Sequence, residues 1–94
     1  MAELVLRERV VLSERAFVEA IIWRLPRPAS GCEHPYKYRL ALVSDGVCVL
    51  RYDNESGKGD HKHVRERQVA YRFVDLEKLQ SDFWRDVEKW RKSR

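Results

Sequence analysis

The stretch that decides the fold is Tyr36-Lys37-Tyr38-Arg39-Leu40-Ala41-Leu42-Val43, then Ser44-Asp45-Gly46, then Val47-Cys48-Val49-Leu50-Arg51-Tyr52-Asp53. Its first run alternates. Tyr36, Tyr38, Leu40 and Leu42 share one face of an extended chain, and Lys37 and Arg39 share the other. Asp-Gly between two such runs signals a hairpin. A two-residue Asp45-Gly46 turn would set Leu40 against Arg51. A three-residue loop with Gly46 left-handed sets Leu42 against Cys48, Leu40 against Leu50 and Tyr38 against Tyr52. The second choice keeps one face apolar, and a buried face is what specifies register. The opposite face then carries Lys37, Arg39 and Arg51, with Asp53 beside Lys37 and Arg39 directly across from Arg51. Like charges opposed across a ladder repel. A bound anion would relieve that cost, unless the two arginines simply splay into water.

Further strands are expected on either side of this hairpin. Upstream, Glu3 to Leu12 has period two, with Leu4, Leu6, Val10 and Leu12 on one face. Ser13-Glu14-Arg15 breaks it. Ala16 to Leu25 is open to two descriptions. Phe17, Ile21, Trp23 and Leu25 alternate as a strand does, while Ser13 could cap a short helix ending before Pro26. The β-branched and aromatic content favours the strand. Pro26 to Pro35 is a loop.

Downstream, Asn54 to Asp60 reads as a turn holding Gly57 and Gly59. His61-Lys62-His63 can open another strand, and Val69 to Phe73 a last short one. Asp75 caps a helix from Leu76 to about Trp90. Its buried stripe is Leu76, Leu79, Phe83, Val87 and Trp90, with Val74 and Leu79 as a hydrophobic staple. Asp82 with Arg85, Asp86 with Lys89 and Glu88 with Lys92 support the wet face. The expected fold is α+β: an antiparallel sheet of four to five strands with a C-terminal helix packed on one face, residues 1–94 forming one domain.

Bulk composition agrees with a small globular domain. Of 94 residues, 44% are hydrophobic and 36% charged, which is apolar enough for a core. A chain this short buries only roughly two-thirds of its unfolded surface, so a partner, including a second copy, could support it. The net charge of +4 suits nucleic acid, an anionic membrane surface or an acidic protein, or serves only solubility. Ala16 to Leu25 is too short and too charged to cross a bilayer. Cys32 and Cys48 form no C-x-x-C pair. Both are expected reduced, in a cytoplasmic protein.

Chemistry concentrates between Tyr52 and His63, where two of the three histidines lie. On an extended backbone His61 and His63 face one way, Asp60 and Lys62 the other. Asp53 ends the preceding strand, and a hairpin brings it near the histidines. Three functions compete. Metal-free RNA cleavage needs a base for the 2′-hydroxyl, an acid for the leaving oxygen and cations for the phosphate. Histidines can exchange protons near neutral pH. Candidate catalytic residues are therefore Asp53, Asp60, His61 and His63, with Lys37, Arg39, Arg51, Lys58 and Lys62 as candidate phosphate binders. No organic cofactor is expected. A divalent metal could instead be held by His61, His63 and Asp53 or Asp60, though a lone H-x-H is a weak signal. Gly57-Lys58-Gly59 does not fit a P-loop. The bland alternative is a solvated hairpin. His34, after the proline-rich loop, reads as incidental.

The run Tyr52-Asp53-Asn54, then Gly57-Lys58-Gly59-Asp60-His61-Lys62-His63, then Tyr71-Arg72-Phe73 and Leu76-Glu77-Lys78-Leu79 resembles the TumE family of toxins from prokaryotic toxin–antitoxin modules. Ile22-Trp23-Arg24 and Tyr38-Arg39-Leu40 extend the likeness over most of the chain. Lys62 departs from the arginine usual between the histidines, keeping charge but losing bidentate geometry. The resemblance implies a growth-inhibiting toxin neutralised by a helix-turn-helix antitoxin. A toxin of this size is commonly a ribonuclease, which is an analogy of class. The alternative is a non-catalytic subunit that binds nucleic acid or an acidic protein through a basic sheet face.

Overall fold

The computed structural model describes residues 1–55 and 57–93, without the Glu55 side chain. Six strands precede one helix: β1 Glu3–Val11, β2 Ala16–Arg24, β3 Tyr36–Ser44, β4 Val47–Glu55, β5 Gly59–Val64, β6 Arg67–Ala70 and α1 Leu76–Lys92. The strands form a single antiparallel meander in chain order, β1-β2-β3-β4-β5-β6. The fold class is as expected, with one more strand. β5 and β6 are separate because Arg65, at φ +58, and Glu66 turn the chain between Val64 and Arg67. Every residue of β6 is exposed, so it has no apolar alternation to betray it.

The core lies between α1 and one face of the sheet. Tyr38, Leu40, Leu42, Leu50 and Tyr52 meet Leu79, Phe83 and Val87 there. Burying each of the large aliphatic or aromatic side chains contributes roughly 1.5–3 kcal/mol. Asp75 caps the helix, its Oδ1 accepting from the Lys78 N–H at 2.7 Å. Val74 is exposed, so the expected staple with Leu79 does not form, and Phe73 packs inward instead. Asp86 does not reach Lys89. It accepts from Tyr52 and Lys62. Glu88 pairs with Arg91 rather than Lys92.

Three strand details correct the expectations, and the first repositions the site. The β3–β4 turn is the two-residue one, with Asp45 at φ 51 and Gly46 at φ 77. Ser44 therefore pairs with Val47 and Val43 with Cys48. A bulge between Leu42 and Val43 then shifts the register, so that Leu42 faces Leu50 and Leu40 faces Tyr52. The apolar face is thus kept by a bulge rather than by a longer loop. Arg39 consequently lies opposite Asp53 and Arg51 opposite Ala41, and the expected Arg39–Arg51 clash does not arise.

The second correction concerns β2, where the strand alternative holds. Its buried residues are Ala16, Val18, Ala20 and Ile22. The larger Phe17, Ile21 and Trp23 sit half-buried on the face away from α1. Third, a register shift in β1 between Leu4 and Leu6 sets Leu4 opposite Trp23, so it leaves the core face and is exposed.

Candidate functional site

Strand pairing builds the site. β4 and β5 place Asp53 opposite His61 and Arg51 opposite His63, all on the face away from α1. His61 Nε2 lies 2.7 Å from Asp53 Oδ1, and the two side chains are buried. Arg51 bridges both pairs. Its Nε lies 2.9 Å from Asp53 Oδ2 and its Nη2 is 3.0 Å from His63 Nε2. A guanidinium can only donate, so His63 Nε2 accepts and the neutral ring carries its proton on Nδ1. The two imidazoles meet edge to face, centroids 4.9 Å apart.

Two features give the cluster chemical character. His61 Nδ1 is buried and has no hydrogen-bond partner, and the contacts of Arg51 Nε and Asp53 Oδ1 lack hydrogen-bond alignment. A buried polar atom left unmade costs roughly 1–3 kcal/mol. The second feature is access. The His61 side chain is 6% exposed and that of His63 24%, so His63 is the histidine that meets solvent.

Asp53, His61 and His63 also offer ligand atoms within 4.8 Å of one another, the spacing of a metal site. Arg51 bears on that possibility. Its guanidinium is hydrogen-bonded to His63 Nε2, the ring nitrogen 3.8 Å from Asp53 Oδ1, and that positive charge opposes a cation there.

The other candidates divide between the two faces. Lys37 and Arg39 flank the cluster on the outer face, where Lys37 donates from Nζ to the Asn54 carbonyl. Lys58 is exposed at the β4–β5 turn. Ser56, within the stretch singled out from sequence, lies outside the described residues. Asp60 and Lys62 are not brought to the histidines. They face α1, as the alternation of β5 requires. Lys62 Nζ donates to Asp86 Oδ2 at 3.0 Å. Asp60 Oδ1 accepts from Tyr38 at 2.7 Å and from His34 Nε2 at 2.8 Å.

His34 is therefore not incidental. Its ring stacks on Phe73 at 3.8 Å between centroids, and its Nδ1 accepts from the Tyr36 N–H at 3.2 Å. That bond fixes the proton on Nε2, facing Asp60. Burial, then the bond to Asp60, raises the Tyr38 phenol above its usual range, so it remains a donor. Cys32, His34 and Asp60 also have metal-ligand spacing. A metal at His34 Nε2 would need the proton on Nδ1, where the Tyr36 N–H already points. Burial pushes the Cys32 thiol up, opposed by the Asn54 amide. No sequence signal marks this cluster, because His34 and Asp60 are 26 residues apart.

The family model for Toxin TumE matches residues 1–91. The chain belongs to this toxin family. It is accordingly a toxin of a toxin–antitoxin system, and an antitoxin partner comes with that assignment. No curated protein and no solved structure matches it. Among the described residues no helix is long and apolar enough to cross a membrane.

Proposed function

We propose that the toxin stops growth by cleaving RNA without a metal, at the outer-face cluster of Arg51, Asp53, His61 and His63. One observation carries this: a partly exposed histidine is held by an arginine, with a second histidine–aspartate pair directly behind it. Cleavage within RNA forms a bond from the 2′ oxygen to phosphorus and breaks the bond from phosphorus to the 5′ oxygen. His63, the more exposed ring, takes the 2′-hydroxyl proton on Nε2 as Arg51 moves its Nη2 from that nitrogen to the phosphoryl oxygen. Arg51 and Arg39 stabilise the charge that gathers on the phosphoryl oxygens. The 5′ oxygen leaves with a proton from His61 Nδ1, the His63 ring turning aside to admit it to that buried nitrogen while Asp53 holds the Nε2 side. An oxygen arriving at His61 Nδ1 supplies the hydrogen bond that this atom lacks.

Asp60 and Lys62 serve the framework in this scheme, tying β5 to His34, Tyr38 and α1. A helix-turn-helix antitoxin would silence the toxin by covering the outer face. The test is incubation of purified toxin with total RNA, with and without chelator. Cleavage that survives chelator fits the histidine mechanism. Cleavage lost with chelator moves the chemistry to a metal on Asp53, His61 and His63. Intact RNA in both arms leaves a binding subunit.

A further inference from the structure

The reactive cluster is one end of a longer feature. The register sets Arg7 opposite Ile21, Ile21 opposite Arg39, Arg39 opposite Asp53 and Asp53 opposite His61. A parallel row runs Arg9, Glu19, Ala41, Arg51, His63. Two rows of outward side chains therefore cross the sheet from β1 to β5. At about 4.8 Å per strand they span roughly 19 Å. At the β1 end, Arg7, Glu8, Arg9, Glu19, Ile21 and Arg39 line a groove of about 550 Å³. Glu19 offsets Arg9 at 3.7 Å, but neither Arg7 nor Arg39 has an ion pair among the described residues. Three arginines against two glutamates leave the groove net cationic. Trp23 and Ile21 stand half-buried on the same face, where a solvated β-strand ordinarily places polar residues.

We infer that this face is a docking platform for single-stranded RNA, laid across the strands with Arg7, Arg9 and Arg39 on its phosphates and Trp23 beneath a base. The inference rests on the cleavage reading for its direction, toward His61 and His63. Basic residues interleaved with a half-buried aromatic are what an unpaired strand needs, because phosphates seek cations and unstacked bases seek flat apolar surface. The span accommodates on the order of five nucleotides at the stacked rise of 3.4 Å. An acidic protein would use the arginines but would have no need for the row to end at the histidines.

The experiment uses fluorescence anisotropy of the full chain with a 2′-O-methyl single-stranded oligonucleotide, which binds but cannot be cut. Arg7→Ala with Arg9→Ala should weaken binding about tenfold. It should also reduce the slope of log affinity against log salt by about 1.4, two single-strand phosphate contacts. Arg7→Lys with Arg9→Lys should restore most of the slope. Trp23→Ala should weaken binding while leaving the slope unchanged, since stacking releases no counterions. Arg91→Ala, on the helix, should change neither. Unchanged affinity and slope in the Arg7/Arg9 alanine variant overturn the inference. So does equal affinity for duplex RNA, or a variant that loses the antitoxin while binding RNA normally. Should native RNA bind with these properties and remain uncut, the platform stands and the cleavage mechanism falls.

Discussion

Arg51 lies between two groups of opposite need: its Nη2 donates to His63 Nε2 at 3.0 Å, while its Nε sits 2.9 Å from the Asp53 carboxylate. The guanidinium thereby aims one imidazole and neutralises the acid that backs the other. Lysine carries the same charge but no planar fork, and cannot serve both. Arg51→Lys should retain the fold and RNA affinity within a few fold, yet lower the cleavage rate by roughly 10²-fold, as loss of one oxyanion donor does. Single-turnover cleavage alongside binding on the same preparation checks this. A rate within twofold of wild type would reduce Arg51 to a structural brace.

His61 and His63 should differ in what their removal costs. The His63 side chain is the more exposed of the two, so His63→Ala should abolish toxicity and leave thermal stability nearly unchanged. His61 is buried against Asp53, and His61→Ala leaves that carboxylate facing a cavity. The cost should be about 2–4 kcal/mol, from the void together with an under-satisfied charge. Thermal melts of both variants, with toxicity on induced expression, separate the roles. A fully toxic, folded His63→Ala variant would remove it from the chemistry.

How much of this was legible depends on the range of the interaction. Alternation shows which residues of β3 and β5 share a face, helical spacing does so for α1, and the expected hairpin brings Asp53 near His61 and His63. The same parity already separated Asp60 and Lys62 from the histidines, but proximity in sequence kept them in the candidate site. The β3–β4 register differs from the expected one by one residue at the turn and by two beyond the bulge, because a bulge and a longer loop satisfy the apolar face equally well, and alternation cannot distinguish them. β2 was read with its large side chains as the apolar set, whereas the core beneath α1 takes Ala16, Val18, Ala20 and Ile22. Size suggested one face, and the space under a helix selected the other. His34 lay beyond reach for a further reason. Its contacts to Asp60 and Phe73 exist only because the loop from Leu25 to Pro35 folds back over the end of the sheet.

That folding back depends on Gly31. At φ +87 it sits where a Cβ would come within 3.1 Å of the Gly57 carbonyl carbon and 3.2 Å of the Gly59 nitrogen. Both obstacles are backbone and cannot rotate aside. The Gly57 N–H also donates to the Ser30 carbonyl, pinning the loop to the β4–β5 turn. Gly31→Ala should destabilise by about 1–3 kcal/mol, from the positive φ and the close approach together. Hydrogen exchange should show the loss concentrated in the loop and around Asp60. Gly46→Ala, with nothing within 4 Å of its Cβ, should show the φ penalty alone. Equal costs for the two variants would mean that the loop does not press on the turn.

The acid limb of stability should be governed largely by Asp82, a carboxylate on the helix. Burial alone would raise it. Hydrogen bonds from Lys78 and Tyr71, with the charges of Lys78 and Arg85, outweigh burial and hold it below the ordinary carboxylate range. The donors stand at 2.7 Å for Lys78 Nζ, 2.7 Å for Tyr71 and 2.5 Å for Arg85 Nη2. A carboxyl whose folded pKa lies below its unfolded value stabilises the fold above the unfolded value. That contribution is lost as pH falls through the folded one. Wild type should therefore lose stability progressively below about pH 4, near the ordinary aspartate value. Asp82→Asn keeps the shape but not the charge, and it offers Tyr71, Lys78 and Arg85 one acceptor oxygen where the carboxylate offered two. It should cost about 1–3 kcal/mol at neutral pH. The gap to wild type should then narrow as pH drops, because protonation takes the same charge from Asp82 itself. Urea melts at pH 7, 5, 4 and 3 test the convergence. A gap that holds constant to pH 3 would mean that Asp82 contributes through shape alone, and that the acid limb belongs to another carboxylate.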